Sequence, residues 1–164
     1  IDLDKPWTRM TVAEAFDKHS SISVDKALSE DRFDETMAEI EPALGQSVPL
    51  FLYDYPASCG ALAKLKTGNS SVAERFELYI GGLELCNGFT ELTDPKEQRA
   101  RFEKELFFRK KAGKKEYPIP EKFLESLSRM PDASGNALGL DRLVMLFADT
   151  ETIDDVVAFT PEEI

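Results

Sequence analysis

Three glutamates, Glu77, Glu84 and Glu91, recur at intervals of seven residues in the stretch ERFELYIGGLELCNGFTEL, residues 74–92. Carboxylate oxygens are preferred ligands of hard divalent cations such as Mg²⁺. Acidic side chains that converge in a folded domain usually hold a metal or another cation. The stretch is therefore the best candidate for a functional site. The alternative is that Glu77 and Glu84 are ordinary solvent-facing strand residues and that Glu91 begins a loop.

A β-hairpin would bring the first two acids together. The Gly81-Gly82 dipeptide suits a two-residue turn, because both of its positions tolerate a positive φ. With this turn, Glu77 and Glu84 become diagonal neighbours on a polar face, close enough to share a divalent ion. The remaining members of that face are Tyr79 and Cys86. The opposite face is apolar and is predicted to be core, and it consists of Phe76, Leu78, Ile80, Leu83 and Leu85.

The position of Glu91 depends on the regularity of the second strand. Strict alternation would place Asn87, Phe89 and Glu91 on the apolar face, where an uncompensated carboxylate is costly. A β-bulge near Cys86-Asn87-Gly88 would reverse the alternation and return Asn87 and Glu91 to the polar face. Gly88 suits a bulge, so the interpretation predicts one there.

Composition and charge indicate a single soluble globular domain. The chain has 164 residues, of which 42% are hydrophobic, and a formal net charge of −11. Such a surface repels nucleic acid unless a local basic patch intervenes, and we interpret the run RKKAGKK, residues 109–115, as a solvated helix end. No apolar run approaches membrane-spanning length. Cys59 and Cys86 lack a metal-type spacing, and we expect two buried thiols in a reducing cytoplasm.

Hydrophobic spacing predicts an irregular alternation of strands and helices, which favours an antiparallel α+β arrangement. Residues 1–46 are predicted to be mostly helical, and Thr11 with Glu14 forms a capping-box pattern. One helix in this segment is expected to end near Gly45, and its apolar residues are Phe33, Met37, Ile40 and Leu44. Residues 48–56, VPLFLYDYP, are typical of a strand.

Two helices are predicted after the hairpin. The first begins at Asp94-Pro95, with Asp94 as its cap, and runs to about Ala112. Its inward residues are expected to be Phe102, Leu106 and Phe107. The second begins at Pro120-Glu121 and includes Leu127.

The segment GNALGLDRLVMLFADTETIDDVVAF, residues 135–159, is the other informative part of the chain. Gly135 and Gly139 flank a strand-like piece and carry no side-chain bulk, so that a flat ligand could approach the backbone. A helix is predicted from Leu140 onward, with Leu143, Leu146 and Phe147 inward. Arg142 then lies in the first helical turn, where free amides already favour anions, and is well placed to bind a phosphate. The alternative is a salt bridge between Arg142 and a nearby acid.

These segments together resemble one known family. ALGLDRLVML with the later IDDVVAF is similar to motif 3 of the class II aminoacyl-tRNA synthetases, in their lysine branch. ERFELYIGGLELCNGFTELTDPKEQRARFE is similar to the segment before motif 3 in that branch, and VPLFLYDYPAS and LAKL also match. The resemblance covers residues 48–159 and extends more loosely toward residue 5. It implies the C-terminal half of a class II catalytic domain, an α+β fold whose antiparallel sheet is flanked by helices.

Two members of that branch are alternatives. One is lysyl-tRNA synthetase, which charges tRNA with lysine. The other is the synthetase-like ligase family that attaches a lysine-type amino acid, such as β-lysine, to a lysine of translation elongation factor P. Ala137 stands where the synthetases usually have glycine and the ligases usually have alanine. PWTRMTVAEAF and YDYPAS are also more similar to the ligase group, which is therefore the preferred interpretation.

The resemblance implies a role for residues near the nucleotide. Glu84 would match the family acid at the Mg²⁺–ATP site, with Leu85 beside the nucleotide and Glu77 as a second metal ligand. Gly139 would lie against the adenosine. Arg142 would match the motif 3 arginine, a catalytic residue that binds the triphosphate.

The resemblance also implies an amino-acid pocket. Asn87 and Glu91 would match residues that hold the substrate, and Glu91 would counter its side-chain ammonium. Ala137 would narrow the pocket. Cys59-Gly60 and Cys86 depart from the usual residues of the ligases at the pocket's edge, but neither departure removes a charge.

The resemblance further implies that residues 1–164 are the C-terminal part of one catalytic domain, with 1–46 as a helical lead-in and 48–159 as sheet, helices and motif 3. Motifs 1 and 2 are absent from this chain, so we expect a fragment that is inactive alone. The intact protein is expected to be a cytoplasmic homodimer without membrane association that uses ATP and Mg²⁺. A synthetase-like binding protein without catalysis is the non-enzymatic alternative.

Overall fold

Strands and helices alternate along the chain in the computed structural model, which describes residues 1–160. The strands are β1 (Thr8–Thr11), β2 (Leu50–Pro56), β3 (Leu65–Lys66), β4 (Asn69–Ile80), β5 (Leu83–Thr90) and β6 (Ser134–Leu138). The helices are α1 (Val12–His19), α2 (Val24–Ser29), α3 (Phe33–Ile40), α4 (Pro95–Lys111), α5 (Glu121–Leu127) and α6 (Leu140–Ala148). Short 3-10 helices occupy Glu41–Ala43, Ala57–Cys59 and Ile153–Asp155.

The strands form one sheet in the order β1-β2-β4-β5-β6, and β3 pairs with β4. The β3–β4 pair is antiparallel, whereas β1 runs parallel to β2, with Thr8 opposite Leu50 and Thr11 opposite Tyr53. The predicted α+β class is confirmed. The sheet is nevertheless not wholly antiparallel, because the lead-in that was predicted to be mostly helical contributes the parallel strand β1.

The backbone divides into two compact units. The first unit contains Ile1–Asp54, Phe76–Gly88 and the described part of Asn136–Ile164. The second unit contains Tyr55–Arg75 and Phe89–Gly135. Glu77, Glu84 and Arg142 therefore belong to the first unit, whereas Glu91 belongs to the second.

Local sequence explains where the main helices begin. Thr11 caps α1 through the amide of Glu14, and the Glu14 carboxylate accepts a hydrogen bond from the Thr11 amide, as the capping-box pattern predicts. Asp94 caps α4 by accepting from two amides, and Pro95 occupies the first helical position, where its missing N–H costs nothing. Helix α3 ends at Ile40, earlier than the predicted end near Gly45, since Pro42 lies just after it.

The apolar face of the β4–β5 hairpin is core in the first unit, as predicted. Its five expected members belong to one hydrophobic cluster, against which Leu143 and Leu146 of α6 also pack. Phe147 was predicted to face inward, but it is 80% exposed. One residue along an α-helix turns the side chain by about 100°, so Phe147 leaves the face that Leu146 occupies.

In the second unit, α4 and α5 pack through their aromatic residues. The ring centroids of Phe102 and Phe123 lie 6.0 Å apart. The guanidinium of Arg101 donates to the carbonyls of Ala61 and Ala63, both at 2.8 Å, which ties α4 to the loop before β3. The prediction that Phe107 faces inward is wrong, because its side chain is 65% exposed.

Among residues 1–160, no helix is both long enough and apolar enough to span a membrane.

Candidate functional site

The Gly81-Gly82 turn forms as the sequence predicts and joins β4 to β5. Its two residues have φ values of 62° and 80°, which suit glycine because a side chain is strained there. The turn places Glu77 near the end of one strand and Glu84 near the start of the next.

Glu77 is a buried carboxylate whose two oxygens both accept hydrogen bonds. The Tyr79 hydroxyl donates to Oε2 at 2.7 Å, and the Asn87 amide donates to Oε1 at 3.1 Å. Glu77 is only 6% exposed and Tyr79 is completely buried. The alternative that Glu77 is a solvent-facing strand residue is therefore wrong. Two donors on one carboxylate fix its orientation and offset part of the cost of burying it.

The Asn87 side chain lies on the same face of the hairpin as Glu77, to which it donates a hydrogen bond. This is the face on which the predicted bulge would place it. Strict alternation would have sent its side chain to the apolar face. Cys86, predicted for the polar face, instead packs into the hydrophobic cluster with Leu85. Two successive residues on one side are the outcome expected from a bulge near this position. Burial raises the pKa of the Cys86 thiol, and a hydrogen bond with Asn136 opposes that effect.

Glu84 pairs with Arg142 in the first unit. The Arg142 Nη1 donates to the backbone carbonyl of Glu84 at 2.7 Å and to its Oε2 at 3.3 Å. The Gly139 amide donates to the Leu85 carbonyl at 2.8 Å, so that the start of α6 is tied to β5 by main chain and side chain together.

The salt-bridge alternative for Arg142 is therefore correct, and it does not exclude phosphate binding. A guanidinium has five N–H donors on three nitrogens. Both contacts use Nη1 and do not involve the other two nitrogens. The Arg142 side chain is also 45% exposed, so a ligand can reach it.

Glu41 is a member of this site that sequence reasoning missed. The Tyr79 hydroxyl lies 3.3 Å from Glu41 Oε1, so one hydroxyl group faces the carboxylates of Glu41 and Glu77. Burial raises the pKa of Glu41, and the hydrogen bond from Tyr79 partly opposes that rise. The negative charges of Glu77 and Glu84 raise the pKa further. No sequence signal could have identified Glu41, because it lies 38 residues from Tyr79 at the end of a helix.

The pKa of Tyr79 is raised well above its ordinary value. Burial is the largest cause, followed by the charge of Glu77 and the hydrogen bond to it. Glu41 and Glu84 add smaller effects of the same sign. Tyr79 therefore remains a neutral hydrogen-bond donor in the folded protein.

Glu91 is half-buried in the second unit, and its backbone is held by main-chain contacts. Its amide donates to the Ala133 carbonyl at 2.9 Å, and its backbone forms an isolated antiparallel bridge with Ala63. Its Oε1 lies 2.6 Å from where a Cβ on Gly135 would be. The space that a side chain on Gly135 would occupy is thus filled by the Glu91 carboxylate.

The remaining predicted residues differ in accessibility. A Cβ on Gly139 would lie 3.4–3.6 Å from the Arg142 side chain, which is an ordinary contact. Ala137 on β6 is exposed. The side chain of Leu85 belongs to the core cluster, so only its main chain could contribute to a nucleotide site.

The carboxylates of Glu77 and Glu84 fit a magnesium–nucleotide site. In the part of the chain that the structure describes, no group of three or more His, Cys, Asp or Glu side chains is arranged to hold a metal by itself. Mg²⁺ commonly binds through one or two carboxylates together with substrate phosphates and waters. Glu84 beside the exposed Arg142, with Glu77 on the preceding strand of the same hairpin, is consistent with that type of site.

Residues 1–163 match the family of class II tRNA synthetases (D, K and N), and the chain belongs to this family. It is 50% identical over 122 residues to the elongation factor P–(R)-β-lysine ligase of Erwinia tasmaniensis, an alignment covering 74% of this chain and 38% of the relative. The ligase of the same name from Proteus mirabilis is 50% identical over 121 residues, covering 73% and 37%. That from Salmonella dublin is 48% identical over 122 residues, covering 74% and 38%.

The chain thus matches a little over a third of the length of these relatives. The predicted family and its ligase relatives are confirmed. The roles expected for individual residues remain predictions.

Proposed function

We propose that this chain is part of a ligase that activates a lysine-type amino acid with ATP as an acyl-adenylate and transfers it to a lysine of elongation factor P. The observation that carries the proposal is the Glu84–Arg142 pair, which combines a carboxylate and an exposed guanidinium at the start of α6. The names of the relatives that are about half identical over three quarters of the chain support the choice of substrate and acceptor.

At the nucleotide, Glu77 and Glu84 would hold Mg²⁺, and Arg142 would bind the triphosphate. When bound, the ion neutralises phosphate charge and orients the phosphates. Gly139 would lie against the adenosine, and the main chain of Leu85 would lie beside it. The hydrogen bonds from Tyr79 and Asn87 would keep the Glu77 carboxylate in place before the ligands arrive.

At the amino acid, each predicted residue has a separate role. Asn87 would bind the substrate through its amide. Glu91 would counter the side-chain ammonium of a lysine or β-lysine substrate. Ala137 would limit the width of the pocket.

The chemistry requires positioning and charge neutralisation. The substrate carboxylate attacks the α-phosphate of ATP, pyrophosphate leaves, and the protein lysine amine then attacks the acyl carbon and releases AMP. Arg142 would stabilise the negative charge on the departing phosphates. The nucleophiles are the amino-acid carboxylate and then the lysine amine of elongation factor P, so the ligase need not supply a nucleophilic side chain.

The proposal is tested by ATP–pyrophosphate exchange and by mass spectrometry of elongation factor P, with the full-length protein and either lysine or (R)-β-lysine. We expect amino-acid-dependent exchange and a mass increase on one lysine of the factor. Glu84→Gln should abolish both, because it removes a charged ligand. Glu103→Gln, an equal charge change on the exposed face of α4, is the control. Wild-type exchange in Glu84→Gln would contradict the metal assignment.

Lysyl-tRNA synthetase is the second candidate, since the family that matches includes the synthetases for K. Charging of lysine tRNA without modification of elongation factor P would favour it. Binding of ATP and Mg²⁺ without exchange would favour a non-catalytic binding protein. The cytoplasmic location and the homodimer remain predictions from the resemblance.

A further inference from the structure

Gly135 and Glu91 lie so close together in the second unit that a side chain on the glycine would require the Glu91 carboxylate to shift. A Cβ on Gly135 would lie 2.6 Å from Glu91 Oε1 and 3.8 Å from its Cδ. Among residues 1–160, no other atom outside its chain neighbours would lie within 4 Å. Gly135 does not have a positive φ, so its backbone suits any residue. Within the described part of the chain, Glu91 is therefore the residue that a side chain on Gly135 would displace.

The backbone of Glu91 cannot easily move away from Gly135. Its amide donates to Ala133, and the next residue, Leu92, donates its amide to the Leu62 carbonyl at 2.9 Å. The isolated bridge with Ala63 holds the same segment. Because these main-chain contacts hold the Glu91 backbone, a methyl group on Gly135 would displace the flexible end of the side chain.

We propose that Gly135 is a positioning residue, whose missing side chain sets the location of the Glu91 carboxylate and thereby the amino acid that the protein accepts. This inference rests on the proposed function, in which Glu91 counters the substrate ammonium. A displaced carboxylate would still be charged, but its distance from the ammonium would change. The effect of a substitution at Gly135 therefore falls on amino-acid binding and leaves the nucleotide unaffected.

The test is Gly135→Ala in the full-length protein, measured by ATP–pyrophosphate exchange. We expect the KM for the amino acid to rise roughly 10-fold to 100-fold, as displacements of about 1 Å in a binding site can cause. The KM for ATP and the thermal midpoint of unfolding should stay at their wild-type values. Ser134→Ala, the preceding exposed residue of β6, is the matched control and should change none of the three quantities.

A second variant distinguishes positioning from a general structural effect. Glu91→Asp shortens the side chain by one methylene and withdraws the carboxylate from the added methyl group. The double variant Gly135→Ala/Glu91→Asp should therefore have a lower amino-acid KM than the product of the two single effects predicts. Strictly additive effects would contradict the proposal.

The remaining outcomes separate this inference from the proposed function. If Glu91→Gln raises the amino-acid KM and Gly135→Ala does not, the role of Gly135 is refuted and the proposed function stands. If Glu91→Gln leaves the amino-acid KM unchanged, the assigned role of Glu91 is wrong. Misfolding of Gly135→Ala, or an equal rise in both KM values, would also overturn the inference, because the methyl group would then disturb more than one carboxylate.

Discussion

Gly88 in the first unit and Gly135 in the second face the same steric restriction for different reasons. An added Cβ would lie 2.6 Å from another atom at both positions. At Gly88 that atom is Cζ of the Phe76 ring, and Cε1 lies 2.7 Å away. At Gly135 it is the terminal oxygen of Glu91.

The two neighbours differ in their freedom to move. The Phe76 ring packs against the core cluster and makes an edge contact with Phe51 at a centroid distance of 5.6 Å. The Glu91 carboxylate ends a flexible chain. The same distance therefore indicates a packing requirement in the first unit. In the second unit it limits the position of a carboxylate that we propose binds the amino acid.

The largest expected effect is that of Gly88→Ala. The added methyl group would overlap the Phe76 ring and lie 2.9 Å from Asn136 Oδ1. Overpacking of this kind costs about 1–3 kcal/mol of unfolding free energy. Urea denaturation of both glycine variants measures the difference, and Gly135→Ala should lie within about 0.5 kcal/mol of wild type. Equal losses in the two variants would remove the distinction between the two regions.

Tyr79→Phe tests the same comparison through hydrogen bonding. Glu77 is oriented by donors on both oxygens, whereas the position of Glu91 depends on space. Loss of the hydroxyl should raise the Mg²⁺ concentration needed for half-maximal exchange by about 10-fold, the lower end of effects seen when a ligand's partner is removed. The KM for the amino acid should not change. The measurement is exchange activity against Mg²⁺ concentration.

Tyr117→Phe is the matched control for that experiment, because Tyr117 is exposed. It should leave the Mg²⁺ dependence at the wild-type value. An unchanged dependence in Tyr79→Phe as well would mean that Glu77 is oriented without the Tyr79 hydroxyl.

The smallest expected effect concerns alkaline stability. Burial and the neighbouring acids raise the pKa of Tyr79, so the folded chain retains the proton longer than the unfolded chain. The resulting stability is fully present below the ordinary tyrosine pKa of about 10 and decreases as pH rises above it, by at most about 1.4 kcal/mol per pH unit. Urea denaturation at pH 9 and 11 should show a larger loss in wild type than in Tyr79→Phe. Equal losses would contradict the assigned burial effect.

Much of the fold could be predicted because its signals are local. The Gly81-Gly82 turn, the Thr11 and Asp94 caps and the helix starting at Leu140 each depend on residues that are close in the sequence. The errors have a different origin. β1 depends on its pairing with the distant strand β2, about which local periodicity contains no information. Helical periodicity separates Leu146 and Phe147 by about 100°, but which of the two is buried depends on the face of α6 that packs against the hairpin cluster.

The sequence by itself determined the family, the hairpin and the identity of the acids and arginine in the candidate site. Only the tertiary structure decided how each carboxylate is held. It added Glu41 to the surroundings of Tyr79, paired Arg142 with Glu84 and placed the Glu91 carboxylate beside Gly135. The reason is physical. Residue types determine which charges and hydrogen-bond donors exist. The orientation of each side chain depends on contacts with residues that only the folded backbone brings within hydrogen-bonding or van der Waals distance.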